Sequence, residues 1–300
     1  MASVKKKKKA LAGQEIIREI LAQMGVGAQA QVTTFKHEED DEDYAVWKIE
    51  DNGRKYVLKK ADNQELEINQ AFLSDLDRGA PHLYKSLNFQ GNVYLLMEYV
   101  EGHDLRNCDR ESLIAVLDAL IFLQNRYWER RDLESAGFGF SASLPGREKR
   151  GKYLGDADLQ RAYERFLQIY AGIPRTLCHD DLLPFNVLCS GDRAALIDWE
   201  YAGILPYPTS LARLIAHGEE DENAFFHMTQ ADKDFAIDYY FEHLLQEKGI
   251  KYPEYRRTLD YFLLYEYCEW VAIGVKYGET DTERYRMYFA KAKKHLKKLK

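Results

Sequence analysis

Hydrophobic spacing along the first part of the chain changes from helical to strand-like. Apolar residues in Gln14–Met24 recur with a helical period, which predicts a first helix. Strand-like stretches follow at Gln31–Lys36, Tyr44–Glu50 and Lys55–Lys60. Asn52-Gly53 separates the last two and is a strong hairpin signal. The pattern therefore predicts an antiparallel sheet preceded by a helix.

The next segment adds one helix and two strands to this sheet. A helical period runs from about Gln64 to Leu76 and is broken by the sequence Gly-Ala-Pro at 79–81. Strand-like stretches lie near Leu83 and at Asn92–Tyr99. We therefore expect an N-terminal lobe over residues 11–100, behind a disordered basic tail at residues 1–10.

Helical periods dominate after Tyr99. The predicted helices cover residues 109–128, 156–171, 208–216, 232–247 and, in two segments, 253–300. Residues 137–155 are rich in Gly, Ser and Arg, which predicts a mobile insert. The fold class is therefore α+β, with a larger and mostly helical C-terminal lobe over residues 101–300.

Composition restricts the class of protein further. The chain has 300 residues, 46% of them hydrophobic, which is enough for two globular lobes. Its apolar runs are too short for membrane insertion, and no apolar stretch follows the N-terminal lysines, so we expect no secretory signal. The four cysteines form no Cys-x-x-Cys pair, which favours a reducing, cytoplasmic setting over a disulfide framework.

Charge is unevenly distributed. Five lysines lie at residues 5–9 and six at residues 291–300, and the net charge of −7 becomes −18 when these 11 are set aside. An acidic body of this kind disfavours nucleic-acid binding and attracts cations.

One loop carries the chemistry that the sequence indicates most clearly. His179, Asp181 and Asn186 lie between two apolar stretches, and Asp198 ends the next one. Carboxylate and amide oxygens, together with substrate phosphates, suit Mg²⁺. Zinc would need His and Cys ligands, and only His179 and Cys178 are close in sequence. Asp181 and Asp198 are therefore expected to face one cavity, one of them as a base and the other as a metal ligand.

The spacing His-x-Asp-x4-Asn, followed by Asp at a strand end, resembles the catalytic and magnesium loops of kinases. The sequence Ile-Asp-Trp-Glu at 197–200 resembles the aminoglycoside phosphotransferase and choline kinase superfamily more than protein kinases. The resemblance implies a bilobal protein-kinase-like fold that uses ATP or GTP with Mg²⁺. It makes Asp181 the catalytic base, Asn186 and Asp198 the metal ligands, and His179 a brace for the loop.

The same resemblance assigns nucleotide contacts in the N-terminal lobe. Lys59 corresponds to the phosphate-binding lysine, and Glu67 is expected as its ion-pair partner, with Glu65 as the alternative. Backbone groups of Glu98, Tyr99 and Val100 are expected to bind the adenine edge.

Two features depart from the family pattern. The chain has no Gly-rich phosphate loop, and an acidic run at residues 38–43 occupies the predicted hairpin tip. Ser210 stands where relatives carry an Asp that helps to fix the catalytic loop.

The acceptor is expected to be a small, cationic molecule with a hydroxyl group, bound by Glu266, Glu269 and the aromatic face of Trp270. Two alternatives are a protein kinase and a non-catalytic nucleotide-binding pseudokinase. Glu200 and the absence of an Ala-Pro-Glu segment oppose the first, and the joint presence of Lys59 and the carboxylate loop opposes the second. Oligomeric state does not follow from these residues.

Overall fold

A computed structural model of the chain describes residues 2–36 and 43–299. The predicted acidic tip lies outside these residues except for Asp43. The chain divides into two compact units, Met1–Asp77 with Pro81–Val100 and Arg78–Ala80 with Glu101–Lys300. The expected α+β class is confirmed, with a sheet in the first unit and mostly helices in the second.

The first unit is built on a five-stranded antiparallel sheet in the order β1-β2-β3-β5-β4. Its strands are β1 (Gln31–Lys36), β2 (Asp43–Asp51), β3 (Arg54–Ala61), β4 (Leu83–Phe89) and β5 (Asn92–Glu98). Asn52 and Gly53 both have positive φ, 50° and 76°, as a tight hairpin turn between β2 and β3 requires. The turn that the sequence predicts therefore sets the register Asp51↔Arg54.

Two helices pack against this sheet, each through a separate hydrophobic cluster. Helix α1 covers Ala2–Gln23, a range that includes most of the stretch for which the sequence analysis expects a disordered basic tail. Its later turns bury Ile17, Ile20 and Leu21 in a core shared with the sheet. Hydrophobic burial of this kind stabilises the helix, whereas its lysine-rich start does not stabilise it. Helix α2 (Asn63–Ile68) continues as a π-helical turn.

The second unit is mainly helical. Its helices are α3 (Arg110–Arg126), α4 (Phe140–Gly151), α5 (Ala157–Gly172), α6 (Pro208–Ala216), α7 (Gln230–Tyr240), α8 (Tyr252–Tyr277) and α9 (Glu283–Leu296). Two short antiparallel pairs, β6–β9 and β7–β8, hold the predicted functional loops, and their strands are β6 (Arg175–Cys178), β7 (Val187–Ser190), β8 (Arg193–Leu196) and β9 (Gly203–Pro206). No helix within the described ranges has the length and hydropathy needed to cross a bilayer.

The segment predicted as a mobile insert is instead ordered around a buried arginine. Helix α4 occupies most of residues 137–155, and the side chain of Arg147 is only 3% exposed. Its guanidinium donates to Asp180 at 2.5 Å and lies over the rings of Tyr170 and Tyr265. A composition rich in Gly, Ser and Arg does not predict this helix, because the contacts that stabilise it come from distant segments of the chain.

Candidate active site

The loop between β6 and β7 carries three of the predicted site residues. The backbone of Asp180 has a φ of +58°, a left-handed conformation that is uncommon outside glycine. Backbone bonds from Leu183 N to Asp181 O (2.8 Å) and from Asn186 N to Leu183 O (2.8 Å) then close two tight turns. These turns hold Asp181 and Asn186 close together within one loop.

Asp198 follows β8 on a second loop that is tied to the first. Its φ is +67°, and Ile197 N donates to Asn186 O at 2.9 Å. Strain of this kind is often found at functional sites, where surrounding contacts hold it in place. The two loops that the sequence predicts as catalytic and metal-binding are therefore adjacent.

His179 connects the two loops through its ring and ties the first loop to α6 through its backbone. Its ring Nε2 donates to Ile197 O at 2.6 Å, and because a carbonyl oxygen can only accept, Nε2 carries the proton. The ring is fully buried and contacts Trp199 at 4.7 Å between ring centroids. Its backbone N–H donates to Ser210 Oγ at 2.9 Å. These contacts correspond to the bracing role that the resemblance implies for His179.

The carboxylate of Asp181 is partly buried among charges of both signs. Burial raises its pKa to about 6; Arg213 opposes this, and the negative charges of Asp198 and Asp180 add to it. A general base is most effective when its pKa lies near the working pH. The environment of Asp181 therefore suits proton acceptance at neutral pH better than an exposed carboxylate would.

The thiol of Cys178, which neighbours His179, is not suited to react at neutral pH. Burial raises the pKa of Cys178 to about 12, so the thiol stays protonated at neutral pH. It lies within hydrogen-bond distance of Pro206 O at 3.4 Å. A thiolate nucleophile beside His179 is therefore disfavoured.

The donor set fits a divalent cation that also binds phosphate oxygens. Asn186 Nδ2 donates to Asp181 O at 2.8 Å, which orients the amide and leaves Oδ1 as its oxygen ligand. Among the described residues, no three His, Cys, Asp or Glu side chains form a ready metal cage. Mg²⁺ usually takes one or two carboxylates, with waters and phosphates completing its shell. Asn186 and Asp198 would hold it here.

In the first unit, Lys59 has a different partner from the one predicted. Lys59 Nζ contacts Glu65 Oε1 at 2.7 Å, whereas Glu67 is exposed, so the expectation for Glu67 was wrong. The side chain of Asp62 caps α2 by accepting from Glu65 N at 2.7 Å. This cap fixes where the helix starts, and Glu65 in its first turn reaches Lys59 of β3.

The adenine contacts expected at the end of β5 are only partly available. The N–H of Glu98 already donates to His82 O at 2.8 Å, and its carboxylate accepts from His82 N at 3.2 Å. The N–H of Glu98 is therefore not free to donate to the adenine edge, which narrows the expected backbone contacts at Glu98, Tyr99 and Val100. β5 ends at Glu98, so Tyr99 and Val100 follow the strand.

The residues expected to bind the acceptor are engaged within the protein. Glu266 is 3% exposed, and burial would raise its pKa, but Arg213 and His217 outweigh that effect and hold the pKa below its usual value. Glu269 accepts from Arg150 at 2.9 Å and from Arg213 at 3.2 Å.

The indole of Trp270 is covered as well. It stacks on Tyr288 with 5.5 Å between ring centroids and lies under Arg284 at 4.9 Å. Within the described ranges, Glu266, Glu269 and Trp270 are therefore engaged by other side chains of the protein, which differs from the open acidic and aromatic pocket that the sequence analysis predicted.

Arg213 is the functional residue that sequence reasoning missed. It contacts Asp181, Glu266 and Glu269 at once. A signal was present, because Ser210 and Arg213 are three positions apart on one helix and so share a face. A helix that presents Ser210 to the catalytic loop also presents Arg213 to it.

Comparison with known proteins agrees with this geometry. Residues 36–245 match the phosphotransferase enzyme family (APH), and because this is more than half of the chain, the protein belongs to that family. Over 130 residues, or 40% of the chain, it is 25% identical to Protein LicA of Haemophilus influenzae. The match spans 34% of that relative and 43% of its counterpart in a second strain.

Solved structures show the same fold at low identity. The choline kinase of Cryptosporidium parvum Iowa II has a TM-score of 0.63 at 16% identity, over 95% of this chain and 96% of that one. An aminoglycoside-3′-phosphotransferase of type VIII has a TM-score of 0.53 at 18% identity, over 78% and 93% of the two chains. These structures share the fold, and the family match over residues 36–245 confirms the superfamily that the loop sequences indicate.

Proposed function

We propose that this protein transfers the γ-phosphoryl group of ATP or GTP to a hydroxyl group of a small, cationic molecule. The observation that carries the proposal is the juxtaposition of Asp181, Asn186 and the Asp198 loop in a family of phosphotransferases. Phosphoryl transfer needs little covalent chemistry from the protein, so positioning and charge supply most of the catalysis.

Each residue has a separate role in this proposal. Asp181 accepts the proton of the acceptor hydroxyl as the new oxygen–phosphorus bond forms, while the bond between the γ-phosphorus and the bridging β–γ oxygen breaks and ADP or GDP leaves. Asn186 and Asp198 hold Mg²⁺, which neutralises charge on the phosphate oxygens when it is bound. Lys59, kept in place by Glu65, contacts the phosphates of the nucleotide.

A cationic acceptor is supported by charge rather than by a defined pocket. Apart from its two lysine clusters the chain carries −18, and such a field concentrates cations and raises their encounter rate. Structural neighbours include a choline kinase and an aminoglycoside phosphotransferase by name. We therefore propose an acceptor with an amine or a quaternary ammonium group.

A turnover assay tests the proposal. Purified protein with ATP or GTP and Mg²⁺ is offered aminoglycosides, choline and amino sugars, and the phosphorylated product is detected by mass spectrometry. Asp181→Asn should lower the rate by about 10²–10⁴-fold, the usual contribution of a general base. The matched control is Asp192→Asn, which makes the same change on an exposed turn between β7 and β8.

Salt dependence distinguishes the cationic acceptor from a neutral one. Attraction between surface charges is screened beyond about 10 Å at 0.1 M salt, so the acceptor KM should rise with ionic strength. Efficient transfer to a neutral sugar without salt dependence would contradict the cationic class and leave the kinase assignment standing. Failure to phosphorylate any acceptor would contradict the proposed function itself.

A further inference from the structure

A buried arginine on α6 holds one oxygen of the Asp181 carboxylate. Arg213 Nη2 and Nε donate to Asp181 Oδ1 at 2.8 and 3.1 Å. Among the described residues, the other oxygen, Oδ2, has only a long contact of 3.4 Å from Asn186 Nδ2. Two strong donors on one oxygen and one weak donor on the other make the two oxygens inequivalent.

The opposite edge of the same guanidinium is anchored on α8. Arg213 Nη1 donates to Glu266 Oε2 at 2.9 Å and to Glu269 Oε2 at 3.2 Å. The side chain of Arg213 is 13% exposed and that of Glu266 is 3% exposed. Removing one partner of a buried ion pair strongly destabilises a protein, so the pair between Arg213 and Glu266 is costly to break.

Other groups complete the anchor around the two glutamates. His217 Nε2 lies 3.4 Å from Glu266 Oε2, and its Nδ1 lies 2.8 Å from Tyr288 OH. Arg150 contacts the second oxygen of Glu269 at 2.9 Å. Both carboxylates are thus engaged by protein groups, and Glu266 is buried as well, so they are poorly placed to bind a substrate.

We infer that Arg213 is the positioning residue for Asp181, and that Glu266 and Glu269 hold Arg213 in place instead of binding the acceptor. The inference rests on the proposed function, since it gives the fixed carboxylate a reaction to serve. The terminal torsion of an Asp side chain is broad, so an unsupported carboxylate samples many orientations. Arg213 restricts that freedom and directs Oδ2 to the acceptor hydroxyl.

An arginine suits this task better than a lysine would. Its planar guanidinium presents several donors in a fixed geometry, so it can contact Asp181 and Glu266 from opposite edges at once. A lysine ammonium is a compact charge on a flexible stem. It can neutralise Glu266 without holding Asp181 in one orientation.

The main test is therefore Arg213→Lys, which keeps the positive charge beside the buried glutamates. Misplacing a reacting group by about 1 Å can cost about 10²-fold in rate. We expect kcat to fall about 10- to 100-fold while the KM for nucleotide stays within about twofold. The matched control is Arg110→Lys, in the exposed pair between Arg110 and Asp232, which should leave kcat unchanged.

A double-mutant cycle shows whether Arg213 acts through Asp181. In the Asp181→Asn background, Arg213→Lys should change the residual rate by less than about twofold, because residues that act as a unit are non-additive. The same fold-loss in both backgrounds would mean that Arg213 acts independently and would overturn the inference. So would a kcat for Arg213→Lys within threefold of wild type, a margin of about 0.7 kcal/mol.

Two glutamate variants keep the inference testable if Arg213→Lys does not fold. Glu266→Gln and Glu269→Gln should lower kcat while the acceptor KM stays within about twofold. A raised acceptor KM with unchanged kcat would return these residues to acceptor binding and overturn the inference.

A readout without turnover separates this inference from the proposed function. The Arg213 Nε–H resonance, assigned by its loss in Arg213→Lys, should shift and exchange faster with solvent in Asp181→Asn. No change would overturn the positioning contact, even in an active enzyme. A wild-type protein that phosphorylates no acceptor would overturn the proposed function and the positioning role with it, while the contact itself would still be observed.

Discussion

Ser210 Oγ accepts a hydrogen bond from the backbone N–H of His179 at 2.9 Å, and both residues are fully buried. Relatives were expected to use an Asp at this position to fix the catalytic loop. The neutral hydroxyl reaches the same loop without adding a further negative charge near Asp181. The Asp-to-Ser difference therefore retains a contact to the loop.

Removing this hydroxyl should affect stability and catalysis together. Ser210→Ala leaves the buried N–H of His179 without its acceptor, which costs about 1–3 kcal/mol. We expect a lower denaturation midpoint and a lower kcat, measured by chemical unfolding and by turnover. Thr209→Val is the control, because it removes a buried hydroxyl from the same helix that donates to Pro206 O at the end of β9 and not to the His179 loop. A stability loss with normal kcat in Ser210→Ala would limit Ser210 to a structural role.

Glu65 and Glu67 provide a matched pair in the first unit. Glu65→Gln should weaken the charge-assisted bond to Lys59, worth about 1.5–3 kcal/mol, and so weaken nucleotide binding about tenfold or more. Glu67→Gln makes the same chemical change on the exposed side of α2 and should leave the nucleotide Kd unchanged. Calorimetric titration with ATP measures both. Equal effects of the two variants would remove Lys59–Glu65 from nucleotide binding.

Variants of Asp198 and Asp181 should affect metal binding and proton transfer separately. Asp198→Ala should abolish the part of the nucleotide affinity that depends on Mg²⁺, because it removes a hard oxygen ligand. Asp181→Asn should keep that affinity and lose turnover. ATP titrations with and without Mg²⁺ distinguish the two. Unchanged magnesium dependence in Asp198→Ala would contradict its assignment as a ligand.

The raised pKa of Asp181 predicts that activity falls at acid pH. A base must be deprotonated, and burial raises the pKa of Asp181 to about 6. The value of kcat/KM should therefore fall tenfold per pH unit below about pH 6 and level off above it. The comparison variant is Asp181→Asn, whose residual rate should lack this limb. An unchanged limb in Asp181→Asn would assign the titration to another group.

The sequence alone determined the local features of this protein. The Asn52-Gly53 turn and the strands β2 and β3 on either side of it follow from neighbouring residues, and the structure reproduces them. The spacing of His179, Asp181 and Asn186 likewise lies within one short loop, so its residues stay close in any fold. Periodicity, turn preference and short-range motifs depend on contacts that a linear sequence displays directly.

Only the tertiary structure decided which charges meet. Arg213 is 32 residues from Asp181 and 53 from Glu266, and Arg147 is 33 from Asp180. No local pattern marks such pairs, because a charged residue on a helix is exposed unless a distant segment covers it. The choice of Glu65 over Glu67 depends in the same way on how α2 meets β3. Burial makes these pairings specific, since a buried charge is tolerated only where a partner is present.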